Sequence, residues 1–564
     1  MIGAELMARA VERQGVKTVF GLPGHLEAFF GALQERDIRL INMRHEAAVV
    51  TGADGYARTR RGLGVACVTA GPGLANALGG LATAWEACTP LLLLCGRNPF
   101  ATMDSGIHQE MDHPAAVRDM TKWARTVHDP SRLAEYIDMA CRIALSGRPG
   151  PVLLDVPRDL AEAEVNEERA QESLGPLIRA QAPAADGEAV VRAAQLLMEV
   201  EHPLIIAGGG AYWSGAGPAL RKLANDFRLP VMAQGLARGL VPEDMEVGFS
   251  WPLAHPAAKE ADLVLVAGSR LNMAIAYGGP PYYAKDARFI QIDIDGAEIG
   301  RNRAVEVPIV GDCAQVLEAI AGELAGNHNQ PSDPGWVRDA LSERLERIDE
   351  VGLEESGLVH PLRMARELAP RMADNAIFIG DGANCLNWFK AILRVNESPG
   401  WMDQEPFGSM GVGLPLAIGA VAAEQETASP RPVFLGTGDG ALGQYLSELS
   451  TAALHGLPIF VMVANDGGWG ASRSITQRLF GGSYGVEMNQ SRYDLVAQGL
   501  DCAGELVSTP DEVGPAFERA MAETAKGRPA LVNVLVDPES GKLRGQDARL
   551  QMVTFNPGWH ERQG

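Results

Sequence analysis

The feature that most constrains the fold of this chain is a repeated pattern of short, continuously apolar runs. Runs at 64–68, 91–95, 152–156, 204–207, 263–267, 289–294, 433–435, 459–464 and 530–536 are each bounded by Gly, Pro or Asp, and Ala/Leu/Glu-rich segments with helical spacing lie between them. A strand that is apolar on both faces needs cover on both, and intervening helices supply it, so the pattern predicts parallel sheets wrapped by helices. Two stretches interrupt the pattern. One, about 163–187, is rich in Glu, Ala and Pro; the other, about 325–357, opens with Asn327-His328-Asn329-Gln330-Pro331 and continues into a charged helical pattern. They divide the 564 residues into blocks at 1–165, 186–325 and 358–540, with a tail at 541–564. The expected fold class is α/β, with three doubly wound domains of mainly parallel sheet.

Charge narrows the class of partner. Lys plus Arg number 49 against 71 Asp plus Glu, a formal charge of −22, which argues against nucleic acid or an anionic membrane as partner. A phosphorylated cofactor stays allowed, because helix N-termini, backbone N–H groups and a metal hold phosphate without a basic face. No apolar run reaches 18 residues, the start lacks a basic-then-apolar signal, and the seven Cys are scattered and never spaced C-x-x-C. The expectation is a cytoplasmic protein with reduced core thiols.

The most specific chemistry lies in the third block. The run 433–435 leads into Gly436-Thr437-Gly438-Asp439-Gly440, and the run 459–464 leads into Asn465-Asp466-Gly467-Gly468-Trp469-Gly470. Two carboxylates, 27 residues apart, thus stand at the carboxyl ends of expected parallel strands, where open α/β sheets bind ligands. Mg²⁺ takes one or two carboxylates together with substrate phosphates, and glycine beside Asp439 allows a diphosphate close to the backbone. Either turn alone is an ordinary strand-to-helix connection with Asp as N-cap; the pair points to a metal–diphosphate site.

A G-D-G followed by an Asn pair at this distance resembles the thiamine diphosphate motif of the acetolactate synthase and pyruvate decarboxylase superfamily. The resemblance implies metal ligands at Asp439, Asp466 and the carbonyl of Gly468. The pair here reads Asn465-Asp466 rather than Asn-Asn, which leaves Asn465 as the alternative ligand. It also implies cofactor contacts from Gly438, Gly440, Ala441, Trp469 and Gly470, from the turn Gly382-Ala383-Asn384, and from Gly408 and Met410, the last lying under the bent cofactor. The first block carries the second motif the family requires: Gly21-Leu22-Pro23-Gly24-His25, then Arg44-His45-Glu46, Thr69-Ala70-Gly71-Pro72-Gly73, Asn76 and His108-Gln109-Glu110. It resembles the pyrimidine-binding domain, with Thr69 and Asn76 among the cofactor contacts. Thiamine must lose a proton from its thiazolium C2 to become a nucleophilic ylide. The resemblance gives Glu46 the task of passing a proton to the pyrimidine ring that removes it, a task for a carboxyl in an apolar pocket.

Thiamine diphosphate sets the reaction class but not the substrate. His25 and Gln109, spaced 21 and 63 residues from Glu46, are similar to the His and Gln that benzaldehyde lyase and cyclohexane-1,2-dione hydrolase place over the reactive carbon. His25 is expected to relay a hydroxyl proton and Gln109 to hydrogen-bond the substrate oxygen. In the middle block, Gly268-Ser269-Arg270-Leu271-Asn272 and Gln291-Ile292-Asp293-Ile294-Asp295 resemble 2-hydroxyacyl-CoA lyase and oxalyl-CoA decarboxylase, which hold ADP there; acetolactate synthases hold FAD, and a domain that only packs is the competing reading. The tail, with Arg544, Arg549, Phe555, Trp559 and Arg562, resembles the segment that covers the active-site mouth in the acyl-CoA enzymes. The leading expectation is a C–C lyase or carboligase acting on 2-hydroxy ketones or 2-hydroxyacyl-CoA thioesters, as a homodimer or homotetramer in which Glu46 meets the partner's diphosphate site. The alternatives are an acetolactate-synthase-type enzyme that decarboxylates a 2-oxo acid and ligates the product, and an inactive cofactor-binding protein.

Overall fold

The computed structural model describes residues 1–178, 181–326, 332–351 and 357–538; the tail and residues 327–331 of the second interruption lie outside them. Three six-stranded sheets follow one another along the chain, and every strand pair recorded in them is parallel. The first contains β1 (Thr18–Gly21), β2 (Arg39–Asn42), β3 (Gly64–Val68), β4 (Leu91–Arg97), β5 (Trp123–Thr126) and β6 (Pro151–Pro157). The second contains β7 (Pro203–Ala207), β8 (Val231–Ala233), β9 (Gly248–Ser250), β10 (Leu263–Ala267), β11 (Arg288–Asp293) and β12 (Val307–Val310). The third contains β13 (Ile377–Asp381), β14 (Trp401–Asp403), β15 (Val433–Gly438), β16 (Ile459–Asn465), β17 (Ala503–Val507) and β18 (Ala530–Leu535). All nine apolar runs are strands. Their residues are buried almost throughout, as sheets covered on both faces require.

Strand order sets the two outer sheets apart from the middle one. The first sheet runs β2-β1-β3-β4-β6-β5 and the third β14-β13-β15-β16-β18-β17, the same order shifted by twelve strands. The middle sheet runs β12-β11-β10-β7-β8-β9, the dinucleotide-fold order. Each sheet reverses direction at one place, between β1 and β3, β7 and β10, or β13 and β15, and the crevice beyond those strand ends is where such sheets bind ligands. The motifs singled out from sequence sit at these three crevices.

The outer domains meet along two helices. Glu46–Arg60 is buried along nearly its whole length and Gly413–Glu424 is buried throughout. A side chain at Gly419 would come within 2.0 Å of the carbonyl oxygen of Gly52, so the two backbones touch and the site-bearing ends of both domains are held in fixed relation. In the same helix Arg58 makes a two-point ion pair with Asp54 at 2.5 and 2.7 Å, with both residues buried.

Candidate active site

In the third domain, β15 ends where the short helix Asp439–Gln444 begins, so Asp439 stands in the first turn, 2% exposed. One carboxylate oxygen accepts the N–H of Gly440 at 2.9 Å, the other that of Gly468 at 3.1 Å. Burial, and then the Asp466 carboxylate, push its pKa up to about 7. Asp466, 8% exposed at the end of β16, is likewise raised by burial. Its Oδ1 is buried without a hydrogen-bond partner. A buried acceptor without a donor is costly unless something else satisfies it, and a cation does so.

Neighbouring Asn465 is fully committed elsewhere. Its amide donates to Ser491 and Asn533 at 3.0 and 3.1 Å, and its oxygen accepts the N–H of Gly467 at 3.3 Å. Asp439 and Asp466 line a cavity of about 590 Å³ together with Gly382, Ala383, Asn384, Met410, Gly438, Gly440, Ala441, Gly468, Trp469 and Gly470. Of the third-domain residues expected to touch cofactor, Gly408 alone is absent from that lining.

Two residues with no expected role of their own hold this cavity in shape. Asp381, 1% exposed at the end of β13, accepts the N–H groups of Gly411 at 3.2 Å and Gly413 at 2.8 Å. It thereby anchors the turn carrying Met410, and burial raises its pKa to about 7. The Gln404 side chain accepts the N–H of Gly382 at 2.8 Å.

In the first domain, Glu46 opens its helix and accepts a hydrogen bond from Asn76 at 3.1 Å. Glu448 of the third domain, itself buried, accepts the N–H groups of Arg44 and His45 at 2.9 and 3.1 Å and so fixes that helix start. His45 caps the helix, its Nδ1 accepting the N–H of Ala47. His25 lies just beyond β1, at φ 60°, a left-handed conformation uncommon for a residue with a side chain. Its Nδ1 is 2.8 Å from the Thr69 hydroxyl and its Nε2 is 3.1 Å from Asn98 Oδ1. The Asn98 amide donates to the His108 carbonyl at 2.9 Å, which turns its oxygen toward His25. Asn98 Oδ1 can only accept, so the imidazole donates to it from Nε2, while Nδ1 faces a hydroxyl able to donate or accept.

Gln109 also has positive φ, 65°, and its backbone presses on Gly71, where a Cβ would come within 2.7 Å of the Gln109 carbonyl oxygen. Thr69 and Glu46 meet at the same turn: a Cβ on Gly73 would lie 2.6 Å from Thr69 Cγ2 and 3.7 Å from Glu46 Oε1. The structure thus gathers Glu46, His25, Thr69, Asn76 and Gln109 around the turn 69–76. Beneath it, His113 is fully buried; its Nε2 accepts the Gly71 N–H at 2.9 Å and its Nδ1 meets Asp155 at 2.8 Å. Cys95, His113 and Asp155 lie within 4.8 Å of one another, but both ring nitrogens are used and Asp155 also binds Arg97 at 2.5 Å. That cluster is a structural brace for the turn.

Residues 1–116 match the thiamine pyrophosphate enzyme N-terminal TPP binding domain, 190–320 the central domain and 381–534 the C-terminal TPP binding domain. A probable acetolactate synthase of Mycobacterium bovis is 33% identical over 95% of this chain and 96% of its own length. The chain belongs to the thiamine pyrophosphate enzyme family. Human 2-hydroxyacyl-CoA lyase 1 is 28% identical, over 97% of this chain and 96% of its own length. The structure of a thiamine diphosphate-dependent 4-hydroxybenzoylformate decarboxylase from Rhodococcus jostii RHA1 superposes with a TM-score of 0.82, covering 95% of this chain and 99% of that one at 22% identity; it shares the three-domain fold. The turn at 69–76 and the strand ends carrying Asp439 and Asp466 lie in the two matched TPP binding domains. Among the described residues no helix is long and apolar enough to cross a membrane.

Proposed function

We propose that this enzyme cleaves or forms the C–C bond beside the carbonyl of 2-hydroxy ketones or 2-hydroxyacyl-CoA thioesters, using thiamine diphosphate held through Mg²⁺. The carboxylates of Asp439 and Asp466 and the Gly468 carbonyl are the oxygen donors a hard divalent cation takes, and the partnerless Asp466 Oδ1 fits that assignment better than the committed Asn465. When bound, the cofactor supplies a nucleophilic carbon and an electron sink. Glu46, which accepts a hydrogen bond from Asn76, would exchange a proton with the cofactor's pyrimidine, and Met410, on its Asp381-anchored turn, would contact the cofactor.

The observation that carries the substrate reading is His25 set between Thr69 and Asn98 beside Glu46. An imidazole that donates from Nε2 to Asn98 and meets at Nδ1 a hydroxyl that rotates to give or take a proton is suited to relaying the hydroxyl proton of a 2-hydroxy ketone. Gln109, whose backbone abuts the same turn, would hydrogen-bond the substrate oxygen. Product analysis with benzoin, acetoin, a 2-hydroxyacyl-CoA, pyruvate and oxalyl-CoA tests this reading: turnover of a 2-hydroxy compound supports it, and carboligation of pyruvate alone refutes it. The second reading, an acetolactate-synthase-type enzyme, draws on the 33% identity to the mycobacterial relative.

The Glu46 cluster lines no part of the third-domain cavity, which supports a complete site made from two copies, with a homodimer as the smallest active unit. The cleft of about 920 Å³ between the middle domain and its neighbours is lined by Gly209, Gly210, Gly268, Ser269, Arg270 and Arg148. Its glycine turns at the β7/β10 crevice suit a nucleotide diphosphate, ADP or FAD, with Arg58, Arg148 and Arg270 in the lining paired to Asp54, Glu298 and Glu86.

A further inference from the structure

The helix Gly470–Phe480 follows the metal loop and carries Arg473, a buried residue only 4% exposed. Nε and Nη2 of its guanidinium form a fork on Glu487 at 3.0 and 2.8 Å. Nη2 also donates to the main-chain carbonyl of Asp466 at 3.2 Å, and Nη1 stands 3.3 Å from Asp466 Oδ2. The guanidinium fills the space a side chain at Gly468 would need, since a Cβ there would come within 2.1 Å of Nη2. Glu487 is held opposite by a short two-sided pairing: Trp469 N–H donates to Val486 at 2.8 Å and Met488 N–H to Gly467 at 2.7 Å. Arg473 therefore grips the back of the loop by a hydrogen bond to the Asp466 carbonyl, with Nη1 facing Oδ2 as an ion pair without a hydrogen bond, while Asp466 Oδ1 remains partnerless.

An aspartate here brings a second buried carboxylate to a cavity that already contains Asp439. Two carboxylates already balance a divalent cation, so a bound diphosphate would add net negative charge in a poorly solvated place. A guanidinium offers a fixed, permanently charged fork for that situation.

We propose that Arg473 is a positioning residue for the metal: it holds one oxygen of Asp466, leaves the other for the cation, and offsets the charge an aspartate adds beside a diphosphate. This rests on the metal–diphosphate reading of the cavity. Partners behind a metal ligand commonly govern affinity by about 10–100-fold.

The test is a titration of Mn²⁺ by electron paramagnetic resonance in the presence of thiamine diphosphate, using the full chain, with a thermal melt of each variant to check folding. Arg473→Gln is expected to weaken Mn²⁺ binding by about 10–100-fold. Asp466→Asn, which removes the charge needing a partner, is expected to make position 473 nearly silent, so that Asp466→Asn/Arg473→Gln binds within about threefold of Asp466→Asn alone. Glu487→Gln, which weakens the fork from outside, should lose about three- to tenfold, and it carries the test if Arg473→Gln folds poorly. Wild-type-like binding in Arg473→Gln, or in Glu487→Gln if that variant has to stand in, overturns the inference. So does a loss from Arg473→Gln that is equally large with and without the Asp466→Asn substitution. Wild-type protein that takes up Mn²⁺ no better with thiamine diphosphate than without it would bring down the metal reading and this inference with it.

Discussion

Replacing His113 with alanine tests the brace beneath the turn that gathers Glu46, His25 and Gln109. The substitution removes the acceptor of the Gly71 N–H, 2.9 Å away in the core, and an unsatisfied buried amide costs about 1–3 kcal/mol. It also leaves a void the size of an imidazole, on the order of 60–80 Å³, which at about 24 cal/mol per Å³ adds roughly 1.5–2 kcal/mol. Asp155 keeps Arg97 and the Thr126 hydroxyl at 2.5 and 2.8 Å, both on Oδ2, so its charge stays paired, but Oδ1 loses the His113 Nδ1–H, which makes the sum a lower bound. The sum, about 3–5 kcal/mol, falls on the first domain, and because three domains need not unfold together a single melting temperature would blur it. Amide hydrogen exchange read on peptides spanning 68–76 isolates it. Protection there should drop by about 10²–10⁴, with the third-domain peptides unchanged. Protection within threefold of wild type would show that His113 fills space without bracing the turn.

His25→Ala should depress cleavage of a 2-hydroxy ketone by about 10²–10⁴, the usual worth of a general acid–base group, while sparing any 2-oxo acid decarboxylation, which releases CO₂ without a hydroxyl proton to relay; equal losses in both assays would favour the acetolactate-synthase-type reading. Glu46→Gln should slow both reactions and abolish exchange of the cofactor's C2 proton, followed by NMR; exchange at the wild-type rate would remove Glu46 from activation. The Asp439 carboxyl, raised to about 7 before any metal binds, must lose its proton to ligate a cation, so calorimetric affinity for Mg²⁺–thiamine diphosphate should fall about tenfold per pH unit below 7 and level off above it; a flat profile between pH 5.5 and 7.5 would contradict the raised pKa. Light scattering at assay concentration should find dimers or larger assemblies, and a fully active monomer would refute a site shared between copies.

Nine interior strands were legible because burial on both faces leaves a continuous apolar run, as in β4 and β16, whereas β1, β8 and β13, as fully buried, were not among those runs. Edge strands lack that signature: β5 and β12 mix exposed and buried residues, and their short runs read as loop. The common order of the outer sheets was not legible, since strand order is set by packing between distant segments. At the site, residues beside glycine-rich strand ends stood out; those that position them did not. Asn98, His113, Asp155, Glu448 and Arg473 act through contacts across the fold, with Glu448 reaching Arg44 over 404 positions, and no local pattern marks such partners. Asp381 had a usable signal, a carboxylate at a strand end beside glycine. The proposed lid falls on the tail, outside the described residues.

Crystals grown with Mn²⁺ and thiamine diphosphate test the central claim most directly. An anomalous difference peak is predicted in the third-domain cavity, about 2.0–2.3 Å from Asp439, Asp466 Oδ1 and the Gly468 carbonyl oxygen, with diphosphate oxygens completing the shell. A peak ligated by Asn465 in place of Asp466, or cofactor bound in that cavity with no metal at these oxygens, would contradict it.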